Sequence, residues 1–346
     1  EDEDWSSRTG TSYDVRYSLS PITDATWSTD TQVSGEPPPS MAGTPENLIV
    51  SGLLPLTTYY LAIKATDEAA NQSALSNIAS ATTCLAPSVA FTADKDTSGI
   101  PELWVADVTG SALVKKSGVI AAGATGVVGV GLPSCWSANN AYLAYRAQQD
   151  TPGVVELFAV PSVGGSPLRV SPPSMIAGGN VSRFDWCPVG DLLAFVADAD
   201  TDGLEELYVV HADGSGRLKV SGALTPGSGG INRFAWSPDG SRLAYSAMMD
   251  PATLFSISSV LPDGTSRITL SQAVGSFNVT EFSWAPDSSR LSYIAPEGTD
   301  VSSQLYAVGA DGTGKVRGSA TSDSGTVSGS PNFPMNWSFD SSRILY

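Results

Sequence analysis

The sequence FAWSPDGSRLAY, at residues 234–245, decides the fold of this chain. It predicts a β-hairpin, because an apolar strand ends at Trp236 and a second alternating strand ends at Tyr245. Between them Pro238 presets φ for a turn and Gly240 accepts a positive φ. The stretch therefore predicts two short antiparallel strands joined by a tight turn.

Related copies of this hairpin recur along the chain. They read FDWCPVGDLLAF at 184–195, FSWAPDSSRLSY at 282–293 and MNWSFDSSRILY at 335–346, with a looser copy, SCWSANNAYLAY, at 134–145. Their tryptophans lie roughly fifty residues apart. Such a spacing indicates an internal structural repeat.

Each hairpin is followed by an acidic loop, a third strand, a second glycine turn and a fourth strand. In one copy these are DADTDG at 198–203, ELYVVHA at 206–212, DGSG at 213–216 and RLKV at 217–220. Four short antiparallel strands per repeat are typical of a β-propeller blade. We therefore predict an all-β fold with a propeller that is six-bladed when complete. The first blade lacks its innermost strand, and the last lacks its outer ones.

The WSPDG-x-x-(Leu/Ile)-Ala-(Phe/Tyr) pattern, followed by Leu-Tyr-Val-Val and a DG turn, resembles the TolB-type, WD-like propeller repeat of bacterial envelope proteins. The resemblance covers residues 85–346. It implies a binding role in the envelope or outside the cell. Propellers also host hydrolase-gating and scaffold roles, so the fold alone does not assign a function.

Residues 1–84 differ from the repeats. They hold a predicted strand at 12–18, a proline run at 37–39 and a strand that begins at Tyr59. The alternation before Tyr59 resembles the tyrosine corner of a fibronectin type III sandwich, in which the hydroxyl bonds back to the backbone. The first two strands of that family have no counterpart here. We therefore predict an incomplete fibronectin type III-like domain at 1–84 and a propeller at 85–346, within a piece of a longer polypeptide.

The charge of the chain bounds its partners. Its 346 residues carry a net charge of −17, with a sequence pI of about 4.3. This acidity excludes nucleic acid and anionic membrane surfaces, which both need a basic face. No apolar run of about eighteen residues predicts a membrane span, and the acidic start is not a signal peptide. We expect an extracellular, periplasmic or envelope location, with the signal peptide not present in this chain.

The chain has three cysteines, Cys84, Cys135 and Cys187. Their spacing matches neither a disulfide framework nor a zinc site. Cys135 precedes one repeat tryptophan and Cys187 follows the next, so their side chains are expected on opposite faces of their strands. The sequence therefore predicts buried free thiols.

The acidic loop of the third blade matches a short calcium loop. The matching positions are the carboxylates of Asp198, Asp200 and Asp202, the backbone carbonyl of Leu204 and the carboxylate of Glu206. A weaker copy consists of Asp94, Asp96 and Glu102, and a remnant holds Asp150 and Glu156. The alternative is a solvated hairpin whose acidic residues serve only turn geometry. The predicted cofactor is a structural calcium ion.

Catalytic groups are scarce in the sequence. The single histidine, His211, lies on an outer strand, and there is neither a G-x-S-x-G elbow nor a P-loop. We therefore predict a non-enzyme with no catalytic residues. The repeat tryptophans are expected to pack the blades rather than to form a carbohydrate platform.

These observations predict a non-catalytic binding or scaffold protein that presents propeller loops to a protein or cell-surface partner. The long connections at 118–132, 171–180, 221–230 and 318–330 lie on one face, where binding is expected. One alternative is the accessory propeller of a larger hydrolase, prolyl-oligopeptidase-like or carbohydrate-degrading, whose catalytic domain is absent from this chain. The other is a carbohydrate-binding module.

Overall fold

The structure is a computed structural model. It describes residues 11–40, 44, 46–54, 57–83, 88–108, 112–130, 135–173, 175–176, 178–224, 227, 230–248, 255–271, 281–297, 303–318 and 336–345. The chain divides into two compact units, Glu1–Ser88 and Val89–Tyr346. Within the described ranges no helix is long and apolar enough to cross a membrane.

The first unit contains one four-stranded antiparallel sheet. Its strands are β1 (Ser12–Ser18), β2 (Thr31–Gln32), β3 (Thr58–Thr66) and β4 (Ala79–Thr82), in the order β2-β1-β3-β4. A 3₁₀ turn at Trp27–Thr29 packs Trp27 against Ile22 and Ala62. The hydroxyl of buried Tyr59 accepts a hydrogen bond of 3.0 Å from the backbone N–H of Leu54. The strand predicted at 12–18 is therefore β1, and the fibronectin type III assignment stays a prediction.

The second unit is built from short strands in chain order. They are β5 (Ser88–Ala93), β6 (Glu102–Asp107), β7 (Leu113–Lys115), β8 (Gly126–Gly129), β9 (Tyr142–Gln148), β10 (Glu156–Pro161), β11 (Leu168–Arg169), β12 (Val181–Trp186), β13 (Leu192–Ala197), β14 (Glu206–His211), β15 (Leu218–Lys219), β16 (Ile231–Trp236), β17 (Leu243–Ala247), β18 (Ser256–Val260), β19 (Ile268–Thr269), β20 (Phe282–Trp284), β21 (Arg290–Ala295), β22 (Gln304–Gly309), β23 (Val316–Arg317), β24 (Asn336–Trp337) and β25 (Ile344–Leu345).

These strands form six consecutive antiparallel sheets, which are the blades of a propeller. Blade 1 has three described strands (β5–β7), blades 2 to 5 have four each (β8–β11, β12–β15, β16–β19 and β20–β23), and blade 6 has two (β24 and β25). The predicted all-β fold with a six-bladed propeller is confirmed. In each four-stranded blade the strands lie side by side in chain order, so the first strand is the inner edge.

The hydrophobic core lies between consecutive blades. One cluster joins Leu157 of blade 2 to Phe195 of blade 3, and a second joins Val209 of blade 3 to Tyr245 of blade 4. The central strands are buried on both faces, which explains their nearly continuous apolar sequences such as LLAFVA in β13. No blade could bury both faces alone, so the stacking of neighbours forms the core.

Four of the five repeat tryptophans connect their blade to the one before it. The indole N–H of each of these four donates to a backbone carbonyl one residue before the preceding repeat tryptophan. The pairs are Trp186 to Cys135 (2.9 Å), Trp236 to Asp185 (3.4 Å), Trp284 to Ala235 (3.2 Å) and Trp337 to Ser283 (3.3 Å). Because Trp186, Trp236 and Trp284 are also buried, the prediction that these residues pack the blades is confirmed.

The tight turns add a second contact between blades. Gly240 has a φ of +70°, and a Cβ there would lie 2.6 Å from the sulfur of Cys187 in blade 3. At the same turn position blade 5 has Ser288, whose hydroxyl accepts a 3.0 Å hydrogen bond from the N–H of Asp239. The fourth turn position therefore touches the preceding blade in both cases.

Cys135 and Cys187 are buried free thiols, as predicted. Burial raises the pKa of both thiols, which disfavours the reactive thiolate. Cys84 lies outside the described residues.

The indole contact of Trp186 can be tested with Trp186→Phe. We expect a loss of roughly 1–3 kcal/mol in the free energy of unfolding, because the hydrogen bond to blade 2 and part of the ring are removed. Trp104→Phe is the matched control, since the buried indole nitrogen of Trp104 has no hydrogen-bond partner among the described residues. Urea unfolding followed by far-UV circular dichroism measures both. An equal loss in the two variants would show that the indole contact does not stabilise the propeller.

Candidate functional site

Strand direction places the candidate sites on one face of the propeller. Antiparallel strands alternate direction, so in each blade the start of the inner strand and the start of the third strand share a face. The described parts of the connections between blades, at 116–125, 170–173, 175–176, 178–180, 220–224, 227, 230, 270–271 and 281, lie on the same face. We name it the loop face.

The acidic hairpin of blade 3 contains a buried ion pair. Glu206, 3 % exposed, begins the third strand of the blade. The ammonium of Lys219 lies 2.8 Å from Oε1 of Glu206 and 3.0 Å from Oδ2 of Asp200. The hydroxyl of Tyr208 donates to the other Glu206 oxygen at 3.0 Å. The hydrogen bond to Glu206 raises the pKa of Lys219, so the lysine is a firmly charged partner.

The first carboxylate of the hairpin serves the turn. Oδ2 of Asp198 accepts a 3.4 Å hydrogen bond from the N–H of Gly203. In blade 2 the neutral Gln148 accepts from Gly153 in the same way, at 3.0 Å. Because an amide replaces the carboxylate there, this position needs only an acceptor and not a negative charge.

The other predicted ligands of this hairpin are dispersed. Asp202 is exposed to solvent. The side chain of Leu204 is buried in the core between blades 3 and 4, and its N–H donates to the carbonyl of Thr201 at 3.0 Å.

Blades 1 and 2 repeat the ion pair. In blade 1 Lys115 contacts Glu102 and lies 2.9 Å from Oδ2 of Asp96. Asp94 accepts a 3.1 Å hydrogen bond from the N–H of Gly99, as Asp198 does from Gly203. In blade 2 Arg169 lies 2.5 Å from Oε1 of Glu156, and the N–H of Asp150 donates to the other Glu156 oxygen at 3.1 Å. The acidic hairpins are thus ion-paired turns.

In this arrangement two of the predicted calcium ligands already have a cationic partner. Calcium takes six to eight oxygen ligands, whereas Asp200 and Glu206 share the ammonium of Lys219. Throughout the described ranges no group of three or more His, Cys, Asp or Glu side chains is arranged to hold a metal. Calcium at Asp198, Asp200, Asp202, Leu204 and Glu206, or at Asp94, Asp96 and Glu102, stays a prediction of the sequence.

A second constellation consists of three arginines near the inner edge of the loop face. Arg146 of β9 donates to the carbonyls of Val181 and Ser182 in blade 3. Arg183 of β12 donates to the carbonyl of Ile231 in blade 4. Arg233 of β16 forms an ion pair with Glu281 in blade 5. Each guanidinium therefore reaches the start of the next blade's inner strand.

The first two of these arginines retain unused hydrogen-bonding capacity. The hydrogen bonds of Arg146 to described residues go only to backbone carbonyls, through one of its three nitrogens. Arg183 has Glu205 at 3.3 Å, yet its buried Nε has no partner in the described part of the chain. Burial lowers the pKa of Arg146 and of Arg183, with Glu205 acting in the opposite direction on Arg183. The remaining donors of Arg146 are suited to a carboxylate, whereas Arg183 already has the carboxylate of Glu205 beside it.

Sequence reasoning missed these arginines. A signal was present, because Arg183 in RFDW and Arg233 in RFAW stand at the same position of consecutive repeats. Arg146 belongs to a different strand of its blade, and nothing in the sequence associates it with them. His211, by contrast, lies where predicted, on the outer part of blade 3 with its ring Nδ1 3.0 Å from Oδ1 of Asp191.

Asp185 is a half-buried carboxylate on an inner strand. It precedes Trp186, and the equivalent positions in blades 4 and 5 hold Ala235 and Ser283. Burial raises the pKa of Asp185 to about 6, although a hydrogen bond from the Trp186 backbone acts in the opposite direction. The ionised form is therefore disfavoured in the folded state.

Comparisons with known proteins found similarity only among solved structures. No protein-family model and no curated protein matches the sequence. Solved structures that align with it include oligogalacturonate lyase in complex with manganese (14 % identity, 84 % of this chain, TM-score 0.45), Porphyromonas gingivalis dipeptidyl peptidase 4 (16 %, 79 %, 0.49) and the tricorn protease (13 %, 78 %, 0.36). This chain spans 81 %, 43 % and 28 % of those chains, respectively. All three TM-scores are below 0.5, so the propeller assignment rests on the sheets of the chain itself.

The raised pKa of the half-buried Asp185 predicts a pH-dependent stability. An unfolded aspartate titrates near pH 4 and the folded one near pH 6, so ionisation costs stability as the pH rises between these values. We expect Asp185→Ala, which copies Ala235, to raise the melting temperature at pH 8 and to leave it unchanged at pH 4. Ala235→Asp should introduce the same penalty in blade 4. A gain from Asp185→Ala that is equal at both pH values would contradict this assignment.

Proposed function

We propose that this chain acts by binding, as a non-catalytic scaffold whose loop face contacts a protein partner. The observation that carries the proposal is the guanidinium of Arg146 near the inner edge of that face, whose hydrogen bonds to described residues go only to backbone carbonyls. Buried or half-buried arginine with free donors is suited to bidentate recognition of carboxylate. In a chain with net charge −17 such a site favours a discrete acidic group over a polyanion, which the rest of the surface repels.

The scaffold suits this role. The described parts of the connections between blades lie on the loop face, while the opposite face carries tight turns such as 187–191 and 237–242. Hydrogen bonds between consecutive blades fix the inner strands into which the connections lead. A rigid scaffold with long loops is the usual arrangement for recognition.

We also propose finer assignments for the two units. The propeller repeat is of the TolB type, and the first unit is a fibronectin type III-like spacer. The hydrogen bond between the Tyr59 hydroxyl and the Leu54 backbone supports the second assignment, since the tyrosine corner makes such a contact. The composition, rich in Gly and poor in charge, supports a place in the bacterial envelope or outside the cell.

The proposal can be tested with a fluorescently labelled tri-glutamate peptide as the probe and tri-glutamine as its neutral counterpart. We expect saturable binding of tri-glutamate that weakens with added salt, because the contact is charge-assisted. Arg146→Met should weaken binding about tenfold, which corresponds to one lost charged hydrogen bond. Fluorescence anisotropy measures both, and circular dichroism checks that the variant is folded.

The matched control is Arg290→Met. Arg290 also hydrogen-bonds a backbone carbonyl, that of Gly314 at 3.3 Å, but it begins the second strand of blade 5 and so lies on the opposite face. Its replacement should leave peptide binding unchanged. Equal binding of tri-glutamine, or an unchanged affinity in folded Arg146→Met, would refute the site.

A further inference from the structure

The acidic hairpins of the first three blades share one geometry. A glutamate begins the third strand and a cation stands thirteen residues later on the fourth strand, as in Glu102 with Lys115, Glu156 with Arg169 and Glu206 with Lys219. In blades 1 and 3 the lysine also holds an aspartate nineteen residues before it, Asp96 or Asp200. Asp96, Glu102, Asp200 and Glu206 are among the residues that the sequence predicted as calcium ligands.

Burial makes a cation necessary at this place. Glu102, Glu156 and Glu206 are 2 %, 1 % and 3 % exposed. A carboxylate removed from water to this degree needs a positive partner or must take up a proton. Lys219 supplies this positive charge from the surface. Its side chain is 35 % exposed, and its ammonium contacts the buried Glu206.

Blade 4 provides an internal comparison. At the positions of the glutamate and the cation it has Ser256 and Thr269, so both charges are absent together. Its sheet has the same four strands in the same order. Blade 5 keeps a cation, Arg317, opposite the neutral Gln304. Within the described blades a buried glutamate at this position thus occurs only with a cation across from it.

We propose that the ammonium of Lys219 is the resident cation of the blade 3 hairpin, in the place that the ligand spacing assigns to calcium. Lys115 has the same role in blade 1. The hairpin then folds without a divalent metal, and removal of the ammonium leaves Asp200 and Glu206 as two carboxylates that accept calcium. This inference concerns the stability of the blades and is independent of the proposed binding function.

Charge and distance support this assignment. The ammonium lies within 3.0 Å of oxygens from both carboxylates, which is ordinary hydrogen-bond distance for a charged pair. A calcium ion beside the ammonium would be repelled by its positive charge. The lysine and a metal therefore exclude each other at this hairpin.

The experiment uses the full chain, its Lys219→Met variant and the double variant Glu206→Gln/Lys219→Met. We expect no calcium binding by the unmodified chain and an equal melting temperature in calcium and in chelator. Lys219→Met should melt lower in chelator, by about 10 °C, because it leaves a buried carboxylate without its partner. Millimolar calcium should restore most of this loss in Lys219→Met and give a saturable binding isotherm.

The double variant copies the neutral pair of blade 4. It should recover stability relative to Lys219→Met and show no calcium response. Arg290→Met is the control, since the hydrogen bond of Arg290 to described residues is a 3.3 Å contact with the carbonyl of Gly314, and its loss should change little. Saturable calcium binding by the unmodified chain that is lost in Asp200→Ala would overturn the proposal. So would a Lys219→Met variant that keeps full stability or that does not respond to calcium.

Discussion

The hydrogen bond between each repeat tryptophan and the blade before it is the interaction on which the propeller depends. The inner strand of a four-stranded blade pairs with a neighbouring strand on only one side. Its unpaired edge therefore needs another means of support. The indole N–H of Trp186 bonds the backbone of blade 2, and the ring packs into the core between the two blades. Near the start of the inner strands, the arginines bond forward to the next blade, as Arg183 does to Ile231. The blades are therefore fastened in both directions along the chain.

The interface between blades is buried, and this burial limits the positions at which a charged side chain is stable. The central strands are buried on both faces, so a carboxylate at the start of a third strand enters a region of low dielectric constant. Glu206 is stable there because Lys219 crosses from the neighbouring strand. Asp185 has no such cation, and burial accordingly raises its pKa to about 6. The cost of removing a carboxylate from water is therefore offset by an ion pair at Glu206 and by a raised pKa at Asp185.

Eighteen basic residues stand against thirty-five acidic ones in this chain, so the position of each cation matters. Several have structural partners, as Lys219 does with Glu206 and Arg169 with Glu156. Arg146 is different, because its hydrogen bonds to described residues go only to backbone carbonyls and leave its charge available on the loop face. Its position near the end of the connection that leads into blade 3 makes this the part of the blades best suited to recognise an acidic partner.

The sequence by itself determined the repeat, the four-stranded blade, the turns and the packing role of the tryptophans. Alternation, turn residues and spacing are local properties, so a stretch such as 234–245 carries them without its neighbours. Tertiary structure alone decided which groups meet. Lys219 contacts Glu206 from the neighbouring strand of the same blade, and Arg146 of blade 2 contacts Ser182 of blade 3. The spacing of the acidic residues indicated that Asp200 and Glu206 bind a cation. That spacing identifies the groups that would bind the cation, but not the cation itself. Whether the cation is a metal or the chain's own lysine depends on the register of the fourth strand, which exists only once the blade has folded.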